Sequence, residues 1–192
     1  MELNEILFKA RKLLKERTDS LQKDVRYCIL RNEGTPDWPA PFPALLYCFS
    51  TIDLLGALCG GDAQSSRGIS ERSKKYMTEI MRYPDKEAEL LQKVFRHKIV
   101  HLAQPQPVRI IDGERYLWCY EHNNRGIHLK IDPTGRPNEY WFKISIWSLV
   151  EDITDSIYKP NGYLHRLEKD EDKLQDKFRK AYNQIFEHEP LI

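Results

Sequence analysis

The chain has 192 residues, 41% of them hydrophobic and 31% charged, with a formal net charge of +1. This composition suits one soluble domain with a core of its own and excludes a disordered tail or a disulfide-stapled miniprotein. A balance so near neutrality also excludes a global basic field, so any nucleic-acid site must be a local patch or one assembled from two subunits.

The start, Met1-Glu2-Leu3-Asn4-Glu5, lacks a basic region followed by an apolar run. It predicts no secretory signal and a cytoplasmic location. Ile6, Leu7, Leu13, Leu14, Leu21, Val25 and Ile29 recur at helical spacing among charges. They predict one long helix over residues 4–31, or two with a joint near Thr18 to Ser20. Pro36, Pro39, Pro41 and Pro43 predict a stiff, non-helical connector over residues 32–43. A second helix, 44–58, is apolar on nearly every face and is interrupted by Ser50, Thr51 and Asp53. That pattern predicts a buried central helix and no membrane span, with Gly60-Gly61 ending it. Cys28, Cys48, Cys59 and Cys119 stand in apolar company without a CxxC pair, which predicts reduced, buried thiols.

A polar loop over 62–68 leads to a third helix, 70–82, closed by Pro84. Asp85 caps a fourth helix, 86–103, stopped by Pro105 and Pro107. After Pro107 the apolar period shortens to two. Val108 to Ile111 and Arg115 to Tyr120 flank Asp112-Gly113, a hairpin signal, and alternation returns over 127–131 and 140–146. These segments predict a small antiparallel sheet of three or four strands. Helix resumes over 148–158, breaks at Pro160-Asn161-Gly162, and ends in a charged helix over 170–187. The whole reads as a single mainly α domain, 1–192. A helical bundle occupies 1–104, a β-rich insertion 105–146, and C-terminal helices over 147–192 complete the bundle.

Chemistry concentrates in Arg96-His97-Lys98-Ile99-Val100-His101, near the end of the fourth helix. A guanidinium can grip a phosphate with two parallel hydrogen bonds, and an imidazole can move a proton near neutral pH. Cleavage of RNA through its own 2′-hydroxyl needs a base, stabilisation of a charged phosphorane and an acid for the leaving oxygen. His101 can serve as base or acid, while Arg96 stays protonated and acts as an electrostatic clamp. Five residues of straight helix subtend about 140°, so the two side chains bracket a cleft or act across a dimer. Both lie near a helix end, which leads one to expect that their removal spares the fold. Lys98 is a candidate contact to RNA phosphate.

The spacing Arg-x4-His, with His97 as the polar residue after the arginine, resembles the signature of HEPN domains, many of which are RNA-cutting helical bundles. The resemblance covers the helices up to about Gln104. It implies Arg96 and His101 as catalytic residues, His97 as a positioning residue, and a homodimer in which both motif copies share one cleft. It further implies an endoribonuclease; with an imidazole and a guanidinium but no carboxylate cluster for two-metal chemistry, the expected reaction is metal-independent, needs no cofactor and leaves 2′,3′-cyclic phosphate ends. A role in toxin–antitoxin or phage-defence systems follows, with an antitoxin or regulatory protein as partner. Here a strand-rich segment follows the motif helix directly, where simpler members continue into the last helix of the bundle.

Other readings stay open. Asp53 and Ser50 in the apolar second helix either support Arg96 or His101, or make a structural hydrogen bond or face solvent. His97 and His101, four apart, can share a metal given a third ligand such as His122, His128 or His165. Trp118, Tyr120, Tyr140, Trp141, Phe142 and Lys143 form either a base-stacking platform or core. A non-catalytic HEPN-like dimer that binds nucleotide, RNA or protein is the main rival to the nuclease.

Overall fold

The computed structural model describes residues 3–30, 40–65, 67–97, 99 and 108–186. The chain is mostly helical, with a small mixed sheet ahead of the C-terminal helices. Its residues group into two compact units, Met1–Asp19 with Ser50–Tyr83 and Ile153–Ile192, and Ser20–Phe49 with Pro84–Asp152.

Helix α1 spans Leu3–Ile29 without a joint. Its stripe of Ile6, Ala10, Leu14, Leu21, Val25 and Ile29 is buried at i, i+4 and i+3 steps, the spacing that lines up one helix face. Thr18, the polar member of the stripe, turns its hydroxyl back to the Leu14 carbonyl at 2.8 Å. Glu5 in the first turn and Arg26 in the last complement the helix dipole.

Helix α2 runs Pro41–Gly60, which corrects the expected connector at its proline end. Proline lacks only an N–H that the first turn leaves unpaired anyway, so Pro41 and Pro43 start the helix and do not break it. By length and composition α2 could cross a membrane, and half of that apolar stretch is buried inside the structure. Gly61 closes it with φ of 72°, and its N–H reaches the Ala57 carbonyl at 2.8 Å.

In the first unit, Ile52, Leu55 and Leu58 of α2 are fully buried, as are Met77 of helix α3 (Ile69–Glu79) and Ile153 and Ile157. At Gly56 α3 lies so near that an added Cβ would sit 2.9 Å from the Arg72 carbonyl carbon. The final helices of this unit include α6, Tyr163–Glu168, which apolar periodicity did not mark, and α7, Leu174–Phe186.

In the second unit, α4 covers Asp85–Leu90 and continues as a π-helical segment, Leu91–Arg96. Four strands follow: β1 Val108–Ile111, β2 Glu114–Glu121, β3 Lys130–Pro133 and β4 Glu139–Ser145, ordered β1-β2-β4-β3. The β1–β2 hairpin turns on Asp112 and Gly113 with φ of 51° and 80°, the left-handed pair a two-residue turn of this hand requires. The sheet is mixed, which corrects the expected antiparallel one. β4 pairs with β2 in parallel and with β3 antiparallel. Helix α5, Ile146–Tyr158, begins directly after β4, where the Ser145 hydroxyl accepts the Ser148 N–H at 3.3 Å as a cap.

Candidate functional site

Arg96 ends the π-helical segment, and the segment is covered on most sides. Leu91, Gln92, Val94, Phe95 and Arg96 are all buried, while Lys93 faces outward and pairs with Glu89. Phe95 fixes the segment to the sheet, edge-on to two rings: its centroid lies 6.4 Å from Trp118 and 5.9 Å from Phe142. Arg96 is 8% exposed and Gln92, four residues earlier, 7%. Arg96 therefore belongs to the packed face, although it stands near a helix end, where its removal was expected to spare the fold. Its charge suggested solvent, yet long side chains bury their stems wherever neighbours supply apolar walls. Neither amide atom of Gln92 has a hydrogen-bond partner among the described residues. π-Helical turns recur at functional sites, because they shift the side chains that follow them out of the α-helical register.

The other motif residues are placed less fully. His97 follows Arg96 and is exposed, whereas Lys98 and His101 lie outside the described residues. Ser50 is exposed on α2. Asp53 belongs to the first unit, Arg96 to the second. The Asp53 carboxylate sits 2.5 Å from the Ser73 hydroxyl, which is also 2.9 Å from the Ile69 carbonyl. A serine has one hydroxyl proton, and the charged carboxylate is the stronger acceptor, so Ser73 donates to Asp53. Asp53 thus joins α2 to α3, the structural hydrogen bond that stood as one reading of it.

A cluster that sequence reasoning missed lies in the second unit. The His128 side chain is 3% exposed, with Nε2 3.2 Å from Asp152 Oδ2. Its Nδ1 accepts the Ser145 N–H at 3.1 Å, which places the ring proton on Nε2. Arg125 pairs with the same carboxylate at 2.5 Å. Both ring nitrogens are engaged, so His128 ties the β2–β3 connection to α5 and holds no lone pair ready for a metal or a substrate proton. His128 and Asp152 belong to different elements far apart in sequence, and no local spacing could have paired them. His165 likewise accepts the Asn161 N–H on Nδ1 at 3.2 Å, and His122 stacks on Tyr120 with centroids 6.2 Å apart. Among the described residues no three His, Cys, Asp or Glu side chains are grouped to hold a metal ion.

The sheet's aromatic residues divide between two faces. Trp118 and Tyr120 lie in register with Phe142 and Ile144, and Phe42 packs edge-on against both, 5.9 and 6.1 Å away. That face is core. Trp141, 37% exposed, and Lys143 sit on the opposite face, where Lys143 pairs with Asp132 at 2.9 Å. No single aromatic platform is formed by the six residues together.

Near one end of the sheet a cavity of about 240 Å³ is lined by Lys86, Glu114 and Tyr116. The Tyr116 hydroxyl donates to Glu114, and Lys86 Nζ lies 3.0 Å from the same carboxylate. The Tyr116 hydroxyl and then Lys86 hold the Glu114 carboxyl below its ordinary range. Burial first, and the Glu114 hydrogen bond second, push the Tyr116 phenol up. Comparison with family models, with curated proteins and with solved structures returned no match.

Proposed function

We propose that the chain is a metal-independent endoribonuclease of HEPN type, acting as a homodimer and serving as a toxin or defence effector under the control of a partner protein. The reading rests on the Arg-x4-His spacing and on one observation, the seat of Arg96. It stands, 8% exposed, at the end of a π-helical turn that Phe95 locks to the sheet. An arginine ordered before its ligand arrives loses less entropy when a phosphate binds.

In this mechanism Arg96 grips the scissile phosphate. One His101 takes the proton from the 2′-hydroxyl, whose oxygen attacks phosphorus. The 5′-oxygen leaves with a proton from the second copy of His101, and the products are a 2′,3′-cyclic phosphate and a 5′-hydroxyl. The reaction needs a base and an acid, and each copy of the motif supplies one of them in His101, hence the dimer.

The test is cleavage of a defined RNA oligonucleotide in excess EDTA, with ends identified by mass spectrometry. Cyclic phosphate ends and a rate maximum near neutral pH are expected, since a histidine's ordinary pKa is about 6.5. Arg96→Lys and His101→Ala should each lower the rate by about 10²-fold or more, with the circular dichroism spectrum retained. Strict dependence on a divalent metal with 3′-hydroxyl products, or full cleavage by both variants, overturns the proposal.

The second reading, a non-catalytic dimer that binds RNA, nucleotide or protein, is favoured by the 8% exposure of Arg96. It predicts a dimer by light scattering and no cleavage by the wild-type chain under any of these conditions.

A further inference from the structure

A concavity of about 760 Å³ lies wholly in the first unit, at the end of α2. That is within the range of small-molecule sites, roughly 300–1,000 Å³. Five cationic and three acidic side chains line it, in a chain whose net charge is only +1.

The acids are already committed. Glu171 and Asp172 bind Arg166 at 2.8 and 3.4 Å, and Glu79 lies 3.7 Å from Lys75. Arg72 is held by Asp62 at 3.2 Å and by the carbonyls of Ser65 and Arg67. Lys173 and Lys177 remain, and neither makes an ion pair among the described residues. The carboxyl end of α2 attracts cations, but with roughly half a negative charge it does not neutralise two ammonium groups.

The backbone is shaped around these charges. Gly60 and Gly61 let two cationic stems close on the end of α2. A Cβ at Gly60 would meet Arg72 Cδ at 2.7 Å, and one at Gly61 would meet the Lys177 Cα at 3.1 Å. Lys173 is carried by a short turn, Glu171–Lys173, where Asp172 and Lys173 take left-handed φ of 54° and 58°. Such conformations are disfavoured for residues with a side chain and cluster at ligand clamps. Ile80 and Leu174 add apolar wall. The Cys59 thiol also borders the cavity, and burial raises its pKa.

We propose that this cavity binds a small phosphorylated molecule, its phosphate held by Lys173 and Lys177 and its body lying on Ile80 and Leu174. The assignment is independent of the nuclease reading, since none of these residues belongs to the Arg96 motif. A cavity of this volume suits a small molecule better than a polynucleotide strand.

Pyrophosphate is the probe, titrated calorimetrically into the full chain at low salt, where exposed charges are least screened. The wild type should bind it one to one. Lys173→Glu with Lys177→Glu should weaken binding at least about tenfold, which is about 1.4 kcal/mol. A variant with the same change in net charge, Lys12→Glu with Lys23→Glu on α1, should stay within about twofold of wild type. If the first variant melts early, Lys173→Gln with Lys177→Gln keeps the stems and should still weaken binding. No saturable binding at millimolar pyrophosphate overturns the proposal, as does equal weakening in the cavity and control variants. So does a loss confined to a short RNA oligonucleotide with pyrophosphate binding unchanged.

Discussion

Tyr76 and Ser156 join α3 to α5 inside the first unit, and their hydrogen bond has a direction that mutation can read. The Tyr76 hydroxyl lies 2.7 Å from Ser156 Oγ, and Ser156 Oγ lies 2.7 Å from the Ile153 carbonyl. The single serine proton goes to that carbonyl, a pure acceptor, so Tyr76 must be the donor to Ser156. Tyr76 is 2% exposed and Ser156 5%, so water cannot replace either partner. Tyr76→Phe removes the donor and leaves Ser156 still donating, at a cost of about 0.5–1.5 kcal/mol. Ser156→Ala strands a buried phenol, at about 1–3 kcal/mol, from which the better helix propensity of alanine returns about 0.5 kcal/mol.

Single costs therefore overlap, and the double-mutant cycle decides. Once Tyr76 is Phe, replacing Ser156 no longer strands anything, so the double variant should lose about 1 kcal/mol less than the sum of the two singles. Helix propensity enters both legs and cancels. In a chain of this length each kcal/mol moves the melting temperature by about 2–4 °C, so urea unfolding followed by circular dichroism resolves the difference. Additivity within about 0.3 kcal/mol would refute the donor assignment and the claim that the pair is isolated from water.

Glu114 should make the fold sensitive to acid. Its folded-state pKa lies below the ordinary 4.5, chiefly through the Tyr116 hydroxyl, so its stabilisation is present above that value and is lost as pH falls through the folded pKa. Glu114→Gln should lower the melting temperature at pH 7 and flatten its decline below about pH 4.5; an unchanged acid limb in a pH series of melts would count against this. Gly56→Ala should cost about 1–3 kcal/mol, because the new methyl meets backbone and not a movable side chain. A variant as stable as wild type would mean that α3 can retreat from α2 freely.

Local pattern revealed the elements it governs. The stripe of α1, the apolar run of α2, the Asp112-Gly113 turn and the start of α5 after β4 all follow from residue spacing. What it did not reveal is non-local. Alternation in β2 and β4 marks two strands but not that they lie side by side in parallel, since β3 is placed at the far edge of the sheet. His128 and Asp152 meet only because the β2–β3 connection and α5 converge. At the candidate site, sequence placed Arg96 on a helix near its end but missed its burial. A charged residue is ordinarily read as solvent-facing, and the Phe95 contacts that hold the segment against the sheet belong to residues from two separate strands.

That burial sets the terms on which the two functional readings part. An arginine can sink its three methylenes in apolar surroundings and still present its guanidinium edge, and in that case low exposure is preorganisation. It can also bury the guanidinium itself in hydrogen bonds, and then the charge is structural and removing it costs stability before it costs anything else. Lysine separates the two, because it keeps the stem and the charge but lacks the planar fork. If Arg96→Lys unfolds as early as Arg96→Ala, the fork is a strut within the second unit and the binding-module reading gains. If Arg96→Lys folds like the wild type and only cleavage is lost, the fork faces the phosphate. The same logic applies to Gln92, whose amide has no partner among the described residues and lies on the preceding turn. A buried amide that gained nothing from its polarity would be replaced by leucine at no cost in stability and with a gain in apolar packing. Gln92 and Arg96 together therefore mark this turn as one place where the second unit departs from simple core logic, and departures of that kind concentrate at functional sites.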